Sequence, residues 1–216
     1  MMSGAPHPFL EELIAFATPE ATKPDLVAAR GEWVLQNGEV FDEDRQLEQR
    51  MAGFLEHYVC HRVAPHFGKT PARERYEQSL KEDSPERAAA FRTFTQTVHG
   101  MFEVRRIAHG VVRLRGLFSG ITWDVTERRQ IVGLVVGDVL EARLLPFAGH
   151  IHFSPSYCFH AHEAAAQIKA EAKRRLKAGV ADERAFVHEC AQRALKVERY
   201  RQIAVEKIYD FAARKI

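Results

Sequence analysis

The stretch between residues 101 and 156 constrains the fold most, because its composition excludes helix. Short β-branched and aromatic runs alternate in it with turns at Gly110, Gly120, Gly137 and Gly149, a pattern typical of short strands. Strands this closely spaced bury a core most readily by curling into a small antiparallel barrel of SH3-like or OB-like type. The five predicted strands are Phe102–Ile107, Gly110–Leu117, Ile121–Val125, Asp138–Phe147 and His150–Phe153.

Helical signals dominate on both sides of this stretch. Before it, Thr70-Pro71 and Ser84-Pro85 each place an N-cap residue in front of a proline, the usual start of a helix. After it, residues 161–178 keep helical spacing, and residues 183–213 are expected to form one helix of about 30 residues, roughly 45 Å long. The chain is therefore predicted to be an α+β protein of three parts. These are a helical N-terminal subdomain at 1–100, a five-stranded barrel at 101–156 and a C-terminal helical hairpin at 157–216.

Composition and cysteine usage favour a cytoplasmic protein. The chain has 46% hydrophobic and 28% charged residues, and no apolar run approaches the roughly 20 residues that span a bilayer. The N-terminus lacks the basic region and the apolar run of a secretory signal. Three widely spaced cysteines, Cys60, Cys158 and Cys190, do not indicate a disulfide framework.

Charge is distributed unevenly along the chain. Residues 1–100 hold 11 Lys and Arg against 16 Asp and Glu, residues 101–156 hold 7 against 5, and residues 157–216 hold 13 against 8. The basic end can attract the acidic front within one molecule or between molecules, or it can face nucleic acid or an acidic protein. The alternative is a solvated helix face, since acids and bases are interleaved near the C-terminus.

Histidines supply the candidates for a metal site. His150 and His152 alternate on a predicted strand, and Cys158, His160 and His162 repeat that spacing shortly afterwards, so five N or S groups lie within thirteen residues. A second set, one helical turn apart, comprises His57, Cys60 and His61. Neither set has a Cys-x-x-Cys pair or a glutamate base at a familiar spacing. We therefore expect no bound metal and no cofactor.

Arginine, and no lysine, supplies the basic side chains of the predicted barrel. Arg113 and Arg115 share one strand face, Arg143 is expected with Glu141 on the outer face, and Trp123 can add a stacking surface, as in single-strand binders. The alternative is that the arginines pair across strands with Glu103, Asp124 or Glu141. The side chains predicted to be buried inside the barrel are Val112, Leu114, Val125, Leu140, Ala142 and Leu144.

The predicted last helix is a second candidate partner surface. Its apolar stripe includes Phe186, Ile208 and Phe211, and its other faces carry Arg193 and Arg199. A helix of about 45 Å overhangs a compact domain of this size. The overhanging stripe is expected to meet another protein, most simply a second copy of the chain.

Two segments carry a family resemblance. Residues 48–62, EQRMAGFLEHYVCHR, and residues 137–160, with GDVLEARLLPF followed by FSPSYCFH, resemble an uncharacterised bacterial group. That group has an "FLEWF…DR" helix and a "GDxxEARLxPF…FSPxFCFHP" segment, sometimes with a SEC-C metal motif. This chain has Ala161 where that pattern has proline, and it has no SEC-C cysteine cluster. The resemblance covers roughly residues 39–162 and implies the architecture, with no established activity.

Together these patterns favour a non-enzymatic cytoplasmic protein that binds or scaffolds another protein. The first alternative is a nucleic-acid-binding protein that uses the arginine face of the barrel. The second is a metal-dependent enzyme at the cluster around His150 and Cys158. Catalysis has little support, because the serines lie outside a nucleophile elbow and no phosphate-binding glycine loop occurs. A protein partner or self-association is expected, nucleic acid is the alternative, and no membrane contact is predicted.

Overall fold

The computed structural model describes residues 7–127 and 133–213, which form a mixed α+β structure. Five helices precede the sheet. Two of them start as the cap-and-proline pattern predicts, because the Thr70 and Ser84 hydroxyls accept hydrogen bonds from the Arg73 and Arg87 amides. The helices are α1 Leu10–Ala17, α2 Lys23–Asn37, α3 Leu47–Cys60, α4 Pro71–Glu82 and α5 Pro85–Phe94. None of the helices in the described parts is long and apolar enough to cross a membrane.

The N-terminal helices share one apolar core. Leu13, Tyr58, Phe91 and Phe94 are fully or almost fully buried within it. Burying large side chains of this kind stabilises the folded state by roughly 1.5–3 kcal/mol each. Leu145 of the sheet lies in the same core, so this core joins the helices to the strands.

Six strands follow in a mixed sheet, and the pairings return to the first strand. They are β1 Val98–Ala108, β2 Val111–Gly116, β3 Thr122–Thr126, β4 Val139–Phe147, β5 His150–Phe153 and β6 Cys158–Phe159. The order runs β1-β2-β3-β5-β4, and β4 also pairs with β1. The purely antiparallel arrangement expected from the sequence is wrong at one pairing, because β3 and β5 run parallel, with Val125 opposite Ile151. The short β6 adds a sixth strand beside the first half of β4.

Side-chain alternation along the strands matches the prediction on the inner side of the sheet. The six residues predicted to be buried are at most 4% exposed, while Arg113 and Arg115 are exposed. The prediction that Arg143 lies on an accessible outer face is wrong. Arg143 does point away from the interior of the sheet, but helices cover that part of its outer face, and the residue is 1% exposed.

The C-terminal part consists of three helices, and the single long helix predicted over residues 183–213 is wrong. α7 ends at Arg199, and the chain turns back so that Ile208 and Tyr209 pack in a core with Phe186. Arg193 donates hydrogen bonds to the carbonyl oxygens of Ile208 and Asp210 and holds this return. The overhang that suggested self-association is therefore not present in the described residues. The helices are α6 Ala165–Lys177, α7 Glu183–Arg199 and α8 Val205–Ile208.

Candidate functional site: a buried polar cavity

A polar cavity lies where helices cover the outer face of the β1–β4 pair. In this pair His99 is opposite Arg143, and Met101 is opposite Glu141. Because side chains two residues apart share one face of a strand, these four side chains project to the same side. The cavity there has a volume of about 200 Å³. It is lined by residues of α2, α3, β1, β4, the segment around Ser156, and α7.

Four histidines from three elements line this cavity. His57 lies on α3, His61 directly follows the last residue of α3, His99 lies on β1 and His188 on α7. The ring centroids of His57 and His61 are 6.2 Å apart, and those of His61 and His99 are 6.0 Å apart. The sequence suggested the α3 pair as part of a metal set, and the fold adds the other two.

Burial keeps three of these histidines in the neutral form. Burial, reinforced by the nearby charge of Arg143, lowers the pKa of His57 to about 4 and that of His61 to about 2. The pKa of His188 is also lowered, mainly by burial. Uncharged imidazoles offer both a donor and an acceptor nitrogen to a polar ligand.

A buried ion pair forms the wall behind the histidines. Nε of Arg143 donates to Oε2 of Glu56 at 3.1 Å, and the two side chains are 2% and 1% exposed. Arg143 also donates to Nδ1 of His61 at 3.0 Å, and Ser156 donates to Glu56 at 2.5 Å. Burial raises the pKa of the Glu56 carboxyl, although Arg143 acts in the opposite direction. These bonds hold His61 in a defined orientation.

His99 and Glu141 form a second pair at the floor of the cavity. Nε2 of His99 lies 3.0 Å from Oε1 of Glu141, and the Glu141 side chain is 16% exposed. Burial acts to raise the pKa of Glu141, but the hydrogen bond and the charge of His99 outweigh it, so that this pKa is lowered. Glu141 is therefore an anion at neutral pH.

Glu183, the first residue of α7, enters the cavity in a different environment. Its Oε1 accepts a hydrogen bond from the Met101 amide at 3.1 Å, and it makes no ion pair with a described residue. Burial raises the pKa of Glu183, against the effect of the Met101 amide. Two carboxyl groups of one cavity thus have pKa values shifted in opposite directions.

Several polar atoms of the cavity wall have no partner among the described residues. Arg50 is 5% exposed, and its Nη2 donates to the carbonyl oxygen of Ala191 at 3.1 Å, but its Nε is buried without a hydrogen bond. The same is true of Oε1 of Gln49 and Nε2 of His188. Buried polar groups normally have a partner, so these atoms indicate a place for a polar molecule.

The cavity continues into an outer cleft of about 710 Å³. His57, His61, Arg184 and His188 line both spaces, so the cleft adjoins the cavity. Arg184 is exposed at this boundary and makes no ion pair with any residue in the described ranges. A cation without a partner at the entrance favours the approach of an anion.

The arginine surface predicted for the strands is only partly assembled. Arg113 forms a two-bond pair with Asp124, with both distances 2.7 Å, which is the cross-strand alternative considered from the sequence. Arg115 is exposed. Trp123 lies opposite the buried Leu114 and packs, half-buried, against the inner core, so a stacking surface at this residue stays a prediction.

The two arginines predicted as partner contacts on the last helix bind within the molecule. Arg193 pairs with Glu189 at 2.8 Å. Nε of Arg199 donates to Oδ1 of Asp44 at 3.1 Å and ties α7 to the segment before α3. Both side chains are therefore engaged in holding the C-terminal helices in place.

The weak metal candidates do not converge. His150 and His152 lie beside the end of β4, whereas Cys158 pairs near its start. Cys158 is hydrogen-bonded to Gln46, and Nδ1 of His160 to the Tyr209 hydroxyl at 2.7 Å. In residues 7–127 and 133–213, no group of three or more His, Cys, Asp or Glu side chains is arranged to hold a metal ion.

Comparisons with known proteins assign no family to this chain. No family model matches it, and no curated protein and no solved structure is similar to it. The resemblance of residues 48–62 and 137–160 to a bacterial group therefore stays a prediction.

Proposed function

We propose that this protein binds a small anionic molecule in the cavity between α3, α7 and the β1–β4 pair. The observation that carries the proposal is Arg50. Its guanidinium is almost completely buried, it makes no ion pair with a described residue, and its Nε has no partner. An unpaired buried charge costs several kcal/mol, and a bound anion would remove that cost.

The charges around the cavity also favour an anion. Arg143 is compensated by Glu56, and Glu141 is bonded to His99. Among the remaining charged side chains, Arg50 and Arg184 lack ion pairs with described residues, while Glu183 has a raised pKa. The raised pKa of Glu183 favours its neutral form, and with that carboxyl neutral the lining has two arginines, Arg50 and Arg184, against the one anion Glu141.

Size restricts the ligand further. A volume of about 200 Å³ lies below the roughly 300–1,000 Å³ of pockets for drug-sized molecules. The lining is mostly charged or hydrogen-bonding, and the cavity is partly enclosed. A compact carboxylate or phosphate fits this combination better than a nucleotide or an apolar molecule.

The sheet serves as the scaffold in this proposal, and we infer that it is a small barrel of OB type. Support comes from the pairings: β1, β2, β3 and β5 each have two neighbours, β4 has three, and β3 and β5 run parallel. In this proposal the ligand does not use the exposed face of β2 and β3, where OB-type barrels commonly bind. It uses the part of the outer face that the helices cover.

Binding can be tested by isothermal titration calorimetry with inorganic phosphate and pyruvate as probes. We expect saturable binding of at least one probe, with a dissociation constant below about 1 mM. Arg184→Gln should weaken binding about tenfold or more, since a charged hydrogen bond contributes roughly 1.5–3 kcal/mol. Arg50→Gln should have the same effect or a larger one.

The matched control is Arg92→Gln, at an exposed position of α5. It should bind the probes as the wild-type protein does. Because Arg184 is exposed, its variant tests the site even if Arg50→Gln fails to fold. The proposal is wrong if neither probe binds, or if Arg184→Gln binds them as tightly as Arg92→Gln.

A protein-interaction role is the second candidate. It is favoured by Arg106 and Arg115, exposed on neighbouring strands β1 and β2, which make no ion pair with described residues. Such a surface fits an acidic protein partner. Capture from lysate by the wild-type protein and by an Arg106→Glu/Arg115→Glu variant tests it. Partners retained by both proteins would argue against this surface.

A further inference from the structure

Given the anion binding proposed above, on which this inference depends, we propose that the cavity is also catalytic. His99 removes a proton from the carbon next to the oxo group of a small oxo-carboxylic acid, and Glu183 acts as the acid. Arg50 holds the carboxylate of the substrate. The reaction class is enolisation, and it needs no group beyond those that the chain itself supplies.

The base is the His99–Glu141 pair. Nε2 of His99 lies 3.0 Å from Oε1 of Glu141, so Nε2 donates its proton to the carboxylate and Nδ1 is the ring nitrogen left to act on a ligand. Nδ1 makes no hydrogen bond with a described residue. A carboxylate on one nitrogen fixes the tautomer and stabilises the imidazolium that forms when the other nitrogen takes a proton.

The other three histidines are poorly suited to the same task. Burial lowers the pKa of His57 to about 4 and of His61 to about 2, and that of His188 is also lowered. A base works best when its pKa is near the operating pH. Each of these rings also lacks a carboxylate at hydrogen-bond distance among the described residues. They are instead neutral donors and acceptors for the ligand.

The acid, Glu183, contacts the backbone of the strand that carries the base, and both residues line the cavity. The Glu183 carboxylate lies against Gly100, the residue after His99, and accepts the Met101 amide at 3.1 Å through Oε1. Oε2 makes no hydrogen bond with a described residue. The pKa of Glu183 is raised by burial, while that of Glu141 is lowered. Groups of one site whose pKa values are pushed apart in this way are suited to opposite roles in proton transfer.

The step balances without an oxidant or a second substrate. Nδ1 of His99 takes the proton, so the C–H bond breaks and an N–H bond forms. The electron pair of the C–H bond forms the C=C bond of the enol, and the π pair of the C=O bond moves to the oxo oxygen, which receives the Glu183 proton and becomes an enol hydroxyl. In the reverse direction Glu183 recovers its proton and His99 returns one to carbon. In D2O the N–H of His99 exchanges with solvent before the return, so that carbon receives a deuteron.

Isotope exchange tests the proposal without knowledge of the physiological substrate. Pyruvate, 2-oxobutyrate and 2-oxoglutarate are incubated with the full chain in D2O, and the loss of the C–H signals next to the oxo group is followed by proton NMR. We expect exchange of at least one acid to exceed the buffer rate at least tenfold. His99→Gln should lower the enzymatic rate roughly 100-fold or more, and Glu183→Gln at least tenfold.

Matched controls are His66→Gln and Glu82→Gln, at exposed positions outside the cavity. They should exchange as the wild-type protein does. Calorimetry on the same samples separates the two proposals. Binding of an oxo acid without exchange above the buffer rate overturns catalysis and leaves the binding function standing, whereas absence of all binding overturns both. Exchange that is unchanged in His99→Gln also overturns the assignment, provided that this variant still binds the acid.

Discussion

The carboxylate of Glu183 occupies the space that a side chain at residue 100 would need. An ideal Cβ on Gly100 would lie 2.5 Å from Oε1 of Glu183 and 3.0 Å from its Cδ, closer than non-bonded atoms approach. The N-terminus of α7 can therefore meet β1 only where the strand has a glycine. This contact places the acidic group of the cavity.

Gly100→Ala should displace the Glu183 carboxylate and break its bond with the Met101 amide. We expect a loss of about 1–3 kcal/mol in the free energy of unfolding, the usual cost of leaving a buried donor without a partner. Chemical denaturation measures this change. Gly31→Ala is the control, because nothing lies within 4 Å of a Cβ there. In that helix it should stabilise the protein by about 0.5–1 kcal/mol. Equal effects of the two substitutions would contradict the steric argument.

Removal of one partner of the Arg143–Glu56 pair should be costly. Arg143→Met leaves Glu56 buried without its cation, and we expect a loss of about 3–5 kcal/mol in denaturant unfolding. Arg113→Met is the matched control. It breaks the exposed ion pair with Asp124, and the free energy of unfolding is expected to fall by only about 0–1 kcal/mol. A loss at Arg143 as small as that at Arg113 would mean that Glu56 is neutral or hydrated in solution.

Stability should fall as the pH drops below about 6.5. The folded-state pKa of His57 is lowered to about 4, below its ordinary value of 6.5. Between these values the unfolded chain binds a proton that the folded chain does not, so each such histidine removes roughly 1.4 kcal/mol per pH unit. Above pH 6.5 this destabilisation is absent.

Urea unfolding between pH 4 and 8 measures how the free energy of unfolding changes with pH. His57→Gln should reduce this slope below pH 6.5 by the equivalent of one proton. His66→Gln, at an exposed position, serves as the control and should leave the slope unchanged. A wild-type slope that is flat over this range would mean that His57 takes up its proton in the folded state. The assignment of His57 as a neutral imidazole in the folded protein would then be wrong.

Tyr209→Phe should destabilise the return of the chain after α7. The Tyr209 hydroxyl lies 2.7 Å from Nδ1 of His160, both residues are buried, and Nε2 of His160 already lacks a partner. Without the hydroxyl, neither ring nitrogen of His160 has a hydrogen-bond partner. The free energy of unfolding should therefore fall by about 1–3 kcal/mol. Thermal unfolding compares this variant with Tyr200→Phe, at an exposed position, which should change little. A normal melting temperature in Tyr209→Phe would contradict the packing of the C-terminus.

Local sequence determined the elements and the inner face of the sheet. Thr70-Pro71 and Ser84-Pro85 predicted helix starts that the structure has, because capping and the fixed φ of proline act within one turn. Alternation along β2 placed Val112 and Leu114 inside and Arg113 outside, because strand geometry alone sends neighbouring side chains to opposite faces. These features depend on neighbours in the chain, so the sequence reports them directly.

Tertiary packing decided the rest. Alternation correctly sends Arg143 away from the inner face of the sheet, but only the helices packed on that face make it a buried position. Tyr200 to Ala204 contain neither glycine nor proline, and α7 still ends there, because burial of Ile208 and Tyr209 outweighs helix propensity. The cavity unites Arg50, His99, Glu141 and Glu183, which are more than forty residues apart in pairs. No periodicity links positions so distant, since their proximity arises from contacts that form only when the whole chain has folded.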